Sequence, residues 1–511
     1  MNNLYNILQK TTKTHPDNIA LVFNEDQISY AQIKDACDRL ATGLRKLGLG
    51  PGDRMAMMLP NIPHFPICFF ALLKIGVTII PVSILFKAEE IRHRLEDSEV
   101  KGIIYWENFR SDVHQAIQDL SHCRKLIVLG ENADPNEVRL NYLMEINDPM
   151  EEITDADPEE TALISYTAGI TGRPIGAELT HENLLFDIDA CKELLKLNSN
   201  DSVIGVLPLS HPLGHTLILG TFFRGGGTII LMPKFETEIM LTTIQDKKPT
   251  YFVGVPSMIR EILELDEGEK YDLTSLKFYL SSGDALKPET MEAFESRFKV
   301  PILEGYGLTE ASPMVSFNST VRERRAGSIG LPLPGVDMKI VNENDIEVKP
   351  GQVGEIIIKG PNVMKGYLSR PEATKEALRG GWLRTGDLAE LHENGYGFIV
   401  VRKKNVIVKS GFNVYPREVE KFLLGHSKVG EAVVVGVPDS IQGEEVHTCI
   451  VLKEGEKIEV EEILNYCSER MATYKCPRFV HFVDQLPKGP TGRILRDQVK
   501  KMLIENKNHR D

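Results

Sequence analysis

Apolar residues along most of the chain alternate between short β-branched runs and stretches with an apolar residue every three or four positions. The helical spacing is clear at Ile33, Ala36, Leu40 and Leu44, in a stretch that ends at glycines. Strand-like runs follow one another at residues 20–23, 27–30, 55–59, 77–80, 102–105, 202–208, 227–231, 251–255 and 277–280. This alternation predicts an α/β fold in which parallel-rich sheets are covered by helices.

The pattern changes twice in the last third of the chain. Beyond Gly335 the apolar runs become short alternating strands separated by turn residues, which indicates a β subdomain at about residues 330–400. From about Arg402 a new α+β pattern begins, long enough for a domain of roughly 100 residues. We therefore expect an N-terminal domain of residues 1–400 and a C-terminal domain of residues 401–511.

Two segments depart from the alternation. Residues 66–86 are apolar enough to resemble a membrane span, with Lys74 as the only charge. Gly76 and Pro81 divide this segment, so we expect a buried helix followed by a buried strand. Residues 134–157 are acidic, contain proline and have few apolar positions, which predicts a connecting loop.

Composition narrows the class of protein. The 511 residues are 42% hydrophobic and 26% charged, as in globular proteins, and their length requires more than one domain. The net charge of −14 argues against nonspecific binding to nucleic acid, which needs a basic surface. Seven scattered cysteines without a CxxC pair, and a start without the features of a signal peptide, predict a cytoplasmic protein with reduced thiols.

A glycine-rich stretch at residues 166–176 is the first candidate for chemistry. Its sequence is Tyr-Thr-Ala-Gly-Ile-Thr-Gly-Arg-Pro-Ile-Gly, between an apolar run and the predicted helix start at Thr180. Glycines there allow backbone N–H groups to converge on an anion, so a strand, this loop and a helix would form a phosphate site. The spacing is neither that of a Walker loop nor that of a dinucleotide fingerprint, and an ordinary turn is an equal alternative.

The order of residues in this stretch resembles the signature loop of the adenylate-forming superfamily, and in particular that of fatty-acyl-CoA synthetases. The resemblance implies that the backbone and hydroxyl groups of the loop bind ATP phosphates, through Thr167, Gly169, Thr171 and Gly172. The chain departs from the family at three positions where hydroxyl groups or a lysine are usual, namely Ala168, Ile170 and Ile175.

A second motif, Leu303-Glu-Gly-Tyr-Gly-Leu-Thr-Glu310, matches the family pattern without a gap. By this resemblance Tyr306 and Gly307 would contact adenine, Thr309 would bond a phosphate, and Glu310 would hold Mg²⁺. A carboxylate suits that role because Mg²⁺ prefers oxygen ligands. A tight turn with an exposed acid is the alternative for this motif taken alone.

Two further motifs resemble the ribose-binding and hinge segments of the family. In Trp382-Leu-Arg-Thr-Gly-Asp387 the carboxylate of Asp387 would accept hydrogen bonds from both ribose hydroxyls, and Arg402 would assist, although Val401 replaces the usual aspartate before it. Lys404 falls at the family's hinge, which implies a mobile C-terminal domain. In the motif at 409–420, Gly411 and Phe412 would line the coenzyme A tunnel.

The remaining motifs concern the reacting carboxylate and adenine. His211, in Leu-Pro-Leu-Ser-His, resembles a histidine beside the acyl carboxylate and the α-phosphate, although a lone histidine is more often structural. Gly283 and Asp284 would form the adenine edge. Arg493 occupies the position of the family's catalytic lysine, and this exchange is not conservative because a planar guanidinium replaces a compact ammonium.

The resemblance, which covers about residues 19–496, implies an ATP-dependent acyl-CoA ligase that uses ATP, Mg²⁺ and coenzyme A. A carboxylic acid, expected to be a fatty acid, would react through acyl-AMP. Two alternatives stay open: a catalytically weakened homologue that binds nucleotide, coenzyme A or an acyl ligand, and an acyl-adenylate donor to a carrier protein. Peripheral membrane contact and a homodimer are compatible with the sequence, whereas a membrane span and a nucleic-acid partner are not expected.

Overall fold

The computed structural model describes residues 3–508 apart from 168–173, 267, 320–322, 403–404, 410–411, 440–442, 470, 472 and 490–491, and it omits the side chains of 269, 401–402, 408, 412–413 and 506–508. The chain divides into two compact units. The first consists of residues 1–338 and 358–383, and the second of residues 339–357 and 384–511. The domain boundary predicted at residue 400 is that of a mobile C-terminal domain. It stays a prediction.

The strands are numbered in chain order. They are β1 Ile19–Phe23, β2 Asp26–Ser29, β3 Arg54–Met58, β4 Thr78–Pro81, β5 Gly102–Trp106, β6 Lys125–Leu129, β7 Glu137–Arg139, β8 Thr161–Thr167, β9 Ile175–Thr180, β10 Ser202–Gly205, β11 Thr228–Leu231, β12 Tyr251–Gly254, β13 Phe278–Ser281, β14 Ile302–Gly307, β15 Met314–Phe317, β16 Leu331–Pro332, β17 Asp337–Val341, β18 Val353–Lys359, β19 Gly366–Tyr367, β20 Leu383–Leu391, β21 Gly397–Arg402, β22 Ile407–Lys409, β23 Phe412–Val414, β24 Val429–Asp439, β25 Gly443–Leu452 and β26 Phe479–Phe482.

The α-helices are α1 Asn6–Thr14, α2 Tyr30–Lys46, α3 His64–Lys74, α4 Ala88–Asp97, α5 Arg110–Ile117, α6 Leu140–Glu145, α7 His181–Leu195, α8 Thr221–Gly225, α9 Thr237–Lys247, α10 Pro256–Glu264, α11 Pro288–Phe298, α12 Pro371–Ala377, α13 Pro416–Leu424, α14 Val460–Ser468 and α15 Arg496–Asn508. A π-helix, Leu213–Gly220, precedes α8. No helix within the described residues is both long and apolar enough to cross a membrane.

Two large sheets organise the first unit. One has the order β16-β15-β14-β13-β12-β10-β11-β1-β2, and the other has the order β19-β9-β8-β4-β3-β5-β6-β7. Most neighbouring strands are parallel, with antiparallel pairs at or near the edges, and the central strands are buried. Parallel strands need helical crossovers that cover both faces of the sheet. The predicted α/β fold with parallel-rich sheets is therefore confirmed.

Of the two segments that depart from the alternation, one forms as predicted and the other does not. The apolar segment 66–86 does form a buried helix and a buried strand, α3 and β4. The predicted loop at 134–157 is wrong in part, because β7 and α6 lie within it. There Val138 pairs with Ile127 on β6, and Leu140 and Leu143 are buried, so a few apolar residues suffice to add an edge strand and a short helix.

The second unit contains most of the sheet β17-β18-β20-β21 and the sheet built on β22 to β26. The long hairpin of β24 and β25 is covered by α13 and α14 on one side and by α15 on the other. A guanidinium–carboxylate pair between Arg496 and Glu420 adds to this packing, since Arg496 also donates to the carbonyl of Val434 at 2.8 Å. Two of the recognised motifs thus meet inside this domain.

A buried ion pair joins two helices of the first unit, α2 and α3. Lys74 on α3 donates to Asp38 on α2 at 2.6 Å, and their side chains are only 1% and 4% exposed. Tyr5 donates to the same carboxylate, and Lys34 approaches its other oxygen from the surface. Three elements therefore share one buried carboxylate. Burial lowers the pKa of Lys74 from its usual value, with Asp38 opposing that shift.

A second buried carboxylate lies near the carboxyl end of β14. Glu304 accepts a hydrogen bond from the backbone N–H of Gly327 at 2.7 Å, and Glu295 and Arg324 are its charged neighbours. Burial raises the pKa of Glu304 to about 7 because the charged form loses its hydration. The carboxyl therefore takes up its proton near neutral pH in the folded chain.

We expect Lys74→Met to reduce the free energy of unfolding by about 3–5 kcal/mol, because it leaves the Asp38 carboxylate buried without its main counter-ion. Lys34→Met is the matched control, since it removes the partly exposed partner of the same carboxylate and should cost at most about 1 kcal/mol. Urea denaturation of both variants gives the comparison. Equal losses in the two variants would contradict a stabilising role for the buried pair.

We expect Glu304→Gln to remove part of the pH dependence of stability. The pKa of Glu304 rises on folding, so its contribution is largest below about pH 4 and is lost as the pH rises toward 7. The free energy of unfolding measured at pH 5 and at pH 8 should therefore differ less in this variant than in the wild type. Glu292→Gln, at an exposed position of α11, should keep the wild-type difference. An unchanged difference in Glu304→Gln would show that this carboxyl titrates normally.

Candidate active site

Several predicted site residues follow strands of one sheet at the same edge. Strands β10, β12, β13 and β14 are parallel neighbours, and the polypeptide leaves each at its carboxyl end. The chain that leaves β10 leads to His211, the chain that leaves β13 leads to Gly283, and Tyr306 lies near the carboxyl end of β14 itself. Ligands of open α/β sheets bind beside such an edge. The structure therefore brings together residues that are separated by up to 95 positions in the sequence.

The motif that begins within β14 ends in a tight turn. Tyr306 is 8% exposed, and its neighbour Gly307 lies so close to the chain that a Cβ there would be 2.1 Å from the carbonyl oxygen of Pro313. A 3₁₀ helix, Thr309–Ala311, follows and contacts β8 and β9 of the other sheet. Only glycine allows this close approach, so the motif's second glycine places Thr309 and Glu310 next to the second sheet.

Glu310 is buried and is supported by the segment 362–367. The hydroxyl of Tyr367 donates to Glu310 Oε1 at 3.0 Å, and the backbone N–H of Met364 donates to the Glu310 carbonyl at 2.9 Å. The amide of Asn362 donates to the carbonyls of Ala311 and Met314. Glu310 offers the carboxylate oxygens that suit Mg²⁺, so this position fits the predicted metal.

The loop after β13 carries the predicted adenine edge. Gly283 has a φ of +89°, a conformation that a side chain would strain, and Leu213 of the π-helix lies 4.0 Å from where its Cβ would be. Asp284 is exposed, and its carboxylate accepts a hydrogen bond from the backbone N–H of Ala285 at 2.8 Å. The loop after β13 and the segment after His211 thus approach each other.

The segment that precedes His211 is bound by a polar residue that sequence analysis missed. The amide of Asn61, just after β3, donates to the carbonyls of Gly205 and Leu207 and accepts from Leu209 N–H at 2.8 Å. This fixes the chain leading to His211 on the second sheet. Nothing in the sequence marked Asn61, because the need of a buried asparagine for hydrogen-bond partners becomes visible only once the order of the strands is known.

The hydrogen bonding of His211 defines its tautomer. Its Nδ1 accepts from the backbone N–H of Leu213 at 3.3 Å, so the ring proton of the neutral form belongs on Nε2. Burial lowers the pKa of His211 to about 4, because the charged ring would lose its hydration. The imidazole is thus a neutral hydrogen-bond donor at neutral pH, suited to a carboxylate or phosphate oxygen.

The expected strand, loop and helix around the glycine-rich stretch are not what the structure shows. After the loop the chain forms a second strand, β9, that pairs antiparallel with β8, with Thr167 opposite Ile175. The helix α7 begins only after β9, and Thr180 caps it as predicted. The loop therefore joins a hairpin, and the helix terminus cannot supply its N–H groups. The predicted residues Gly169, Thr171 and Gly172, with Ala168 and Ile170, lie outside the described residues.

In the second unit, the predicted ribose pair lies on one hairpin. Asp387 on β20 is opposite Arg402 on β21 in the antiparallel register. Asp387 is 5% exposed, and its backbone N–H donates to the hydroxyl of Thr385 at 3.1 Å. The register therefore places the backbones of the two motif residues opposite each other, and the side chain of Arg402 lies outside the description.

The other predicted residues of the second unit are only partly described. Arg493 is half-buried in a turn where its carbonyl accepts from the N–H of Gly489 at 2.8 Å. Lys404 and Gly411 lie outside the described residues, and so does the side chain of Phe412. The roles proposed for these residues therefore stay predictions.

Sequence analysis also missed Asn362 and Tyr367, which support the segment containing Glu310. Nothing in their spacing connects them with Glu310, which lies 57 positions before Tyr367. Contacts of this kind arise from the pairing of distant strands. They could be found only once the order of strands in the sheets was known.

Comparison with known proteins agrees with the geometry. The family model "AMP-binding enzyme" matches residues 8–368, and the model of its C-terminal domain matches residues 418–493. A long-chain-fatty-acid–CoA ligase of Bacillus subtilis is 35% identical, over 98% of this chain and 95% of its own length. A feruloyl-CoA synthase of Amycolatopsis is 33% identical over 93% of this chain and 94% of its own.

Solved structures give the same result. The crystal structure of ATP-bound MatB from Rhodopseudomonas palustris superposes with a TM-score of 0.90 at 27% identity, over 98% of this chain and 99% of the other. The family model alone covers well over half of the 511 residues. The resemblance found in the sequence motifs is therefore confirmed, and the chain belongs to the AMP-binding enzyme family.

Proposed function

We propose that this protein is an ATP-dependent acyl-CoA ligase that activates a fatty acid through acyl-AMP. Membership in the family and similarity to acyl-CoA ligases over nearly the whole chain support the enzyme class, with ATP, Mg²⁺ and coenzyme A as its cofactors. Relatives named long-chain-fatty-acid–CoA ligase, at 31–35% identity, favour a fatty acid. The feruloyl-CoA synthase at 33% identity makes an aromatic acid the competing substrate class.

The observation that carries the proposal is the common edge at which His211, Gly283, Tyr306 and Glu310 lie. In the first half-reaction a carboxylate oxygen attacks the α-phosphorus of ATP, and the bond to pyrophosphate breaks. His211 donates its Nε2 proton in a hydrogen bond to the carboxylate or an α-phosphate oxygen, and Tyr306 packs against adenine. Mg²⁺, bound by oxygen atoms of Glu310 and of the nucleotide, would neutralise negative charge on the phosphates.

In the second half-reaction the thiol of coenzyme A attacks the acyl carbon of acyl-AMP. A carbon–sulfur bond forms, the bond to the phosphate oxygen breaks, and AMP leaves with its electron pair while the thiol loses its proton. The Asp387 carboxylate, with Arg402 in register, accepts the ribose hydroxyls and retains the nucleotide through both steps. Arg493 supplies positive charge during adenylate formation.

The substrate class is tested by ATP–pyrophosphate exchange with a panel of acids. Saturated fatty acids of increasing chain length should support exchange at least ten times faster than benzoate or ferulate, and added coenzyme A should convert the adenylate to acyl-CoA. Faster exchange with an aromatic acid would replace the fatty-acid assignment. Absence of exchange with every acid would favour the weakened homologue, and an adenylate that coenzyme A does not discharge would favour a carrier-protein acceptor.

Arg493→Ala should reduce ATP–pyrophosphate exchange by about 100-fold or more, because the charge that stabilises the transition state is lost. Conversion of added acyl-AMP and coenzyme A into acyl-CoA should change much less. Lys488→Ala is the matched control, since it removes a nearby exposed cation that pairs with Glu431, and both reactions should continue. Exchange that is indifferent to Arg493→Ala would show that another residue supplies this charge.

A further inference from the structure

The hydrogen bond between Tyr367 and Glu310 joins two parts of the chain that only the fold brings together. The phenol donates to Glu310 Oε1 at 3.0 Å, and the carboxylate side chain belongs to a residue that is 9% exposed. Tyr367 itself is half-buried. A phenol that donates to an ionised carboxylate makes a charge-assisted hydrogen bond.

The position of Tyr367 is fixed by its backbone. The residue belongs to β19, where it pairs antiparallel with Ala177 on β9. Its N–H donates to the hydroxyl of Thr374 in α12, at 2.9 Å. The phenol therefore extends from a sheet edge that is anchored on two sides, and its hydroxyl is presented to Glu310 without reordering of a loop.

The backbone of Glu310 is anchored by the same segment. The N–H of Met364 donates to the Glu310 carbonyl at 2.9 Å, and the amide of Asn362 donates to the Ala311 carbonyl at 3.2 Å and the Met314 carbonyl at 2.7 Å. One short segment thus fixes both the main chain of Glu310 and one oxygen of its side chain. Such an arrangement limits the rotation of the carboxylate about its side-chain torsions.

We infer that Tyr367 is a positioning residue that orients the Glu310 carboxylate toward the metal of the ATP complex. The inference rests on the proposed function, since it assigns Glu310 to Mg²⁺. Donation to Oε1 directs Oε2 toward a cation and holds the carboxylate in one orientation. The phenol ring contributes packing in any case, so the hydroxyl is the part of Tyr367 that serves the metal. Residues that hydrogen-bond to a metal ligand typically contribute 10- to 100-fold to metal affinity.

The decisive variant is Tyr367→Phe, which removes only the hydroxyl. Mn²⁺ is the probe, because its paramagnetic signal reports binding to the complex of the enzyme with a non-hydrolysable ATP analogue. We expect the dissociation constant for Mn²⁺ in this complex to rise about 10-fold or more. The affinity for AMP, measured without metal, should change less than twofold. A structural defect would weaken both.

Kinetics give an independent measure. In ATP–pyrophosphate exchange the Mg²⁺ concentration for half-maximal rate should rise by a similar factor in Tyr367→Phe, while the rate at saturating Mg²⁺ stays within a few-fold of the wild type. A positioning residue acts on the occupancy of the site, so excess metal restores the rate. A loss of rate that no Mg²⁺ concentration restores would overturn the inference.

Tyr105→Phe provides the matched control. Tyr105 on β5 also donates to a buried carboxylate, that of Glu137, in the same unit, but this glutamate belongs to the opposite part of the second sheet and pairs with Arg110. The variant should lose stability without changing Mn²⁺ affinity. Equal effects of Tyr105→Phe and Tyr367→Phe on Mn²⁺ affinity would show that the measurement reports general loosening of the fold.

A double-mutant cycle with Glu310→Gln tests whether the hydroxyl acts through that carboxylate. If it does, Tyr367→Phe should weaken Mn²⁺ binding in the wild-type background and have little further effect in Glu310→Gln. Additive effects would overturn the inference. The two proposals can also fail separately. If Tyr367→Phe weakens Mn²⁺ binding but the wild type catalyses no exchange, the ligase function is refuted and the role of Tyr367 stands.

Discussion

The candidate site of the first unit depends on how its two large sheets are joined. Glu310 follows β14 of one sheet, whereas Tyr367 lies in β19 at the edge of the other, and the hydrogen bonds of segment 362–367 to segment 310–314 connect them. Neither sheet alone could fix the carboxylate. The position of the Glu310 carboxylate is therefore a property of the junction, and a change in the register of β19 on β9 would move the phenol away from it.

Asn61 makes a second connection between the same sheets. It follows β3 in one sheet and binds carbonyl groups just after β10 and β11 in the other, including that of Met232. Its amide and carbonyl are both used, so a buried polar side chain is accommodated without an unsatisfied group. The segment leading to His211 is thereby attached to the second sheet, as Glu310 is. Both ends of the candidate site thus depend on side-chain amides and hydroxyls at the junction.

The sequence predicts those elements whose formation depends on the local pattern of apolar residues. It fails where the pairing of distant strands determines the structure. The spacing of apolar residues predicted α2, α3 and β4, because burial of one helix face or one strand leaves a regular signature. The same reasoning missed β7 and α6, whose few apolar residues gain stability only when β7 pairs with β6 and α6 packs against α2. It also missed β9, since Ile175 and the residues after it read as the end of a loop until they pair with β8. The motif residues were recognisable by type and order, but Tyr367, Asn362 and Asn61 carry no motif-independent signal, because their partners are set by strand order.

The hairpin of β8 and β9 gives a structural context for one departure from the family pattern, Ile175. Ile175 is half-buried at the first position of β9, opposite Thr167, where a β-branched residue suits the strand. A lysine at this position would have supplied positive charge to the phosphates, and isoleucine cannot. Under the proposed function, the negative charge that develops on pyrophosphate must then be balanced mainly by the metal at Glu310. The geometry of the Glu310 carboxylate consequently matters more here than in a chain that retains the lysine, and a rigid hydroxyl donor from a sheet edge is a direct way to fix it.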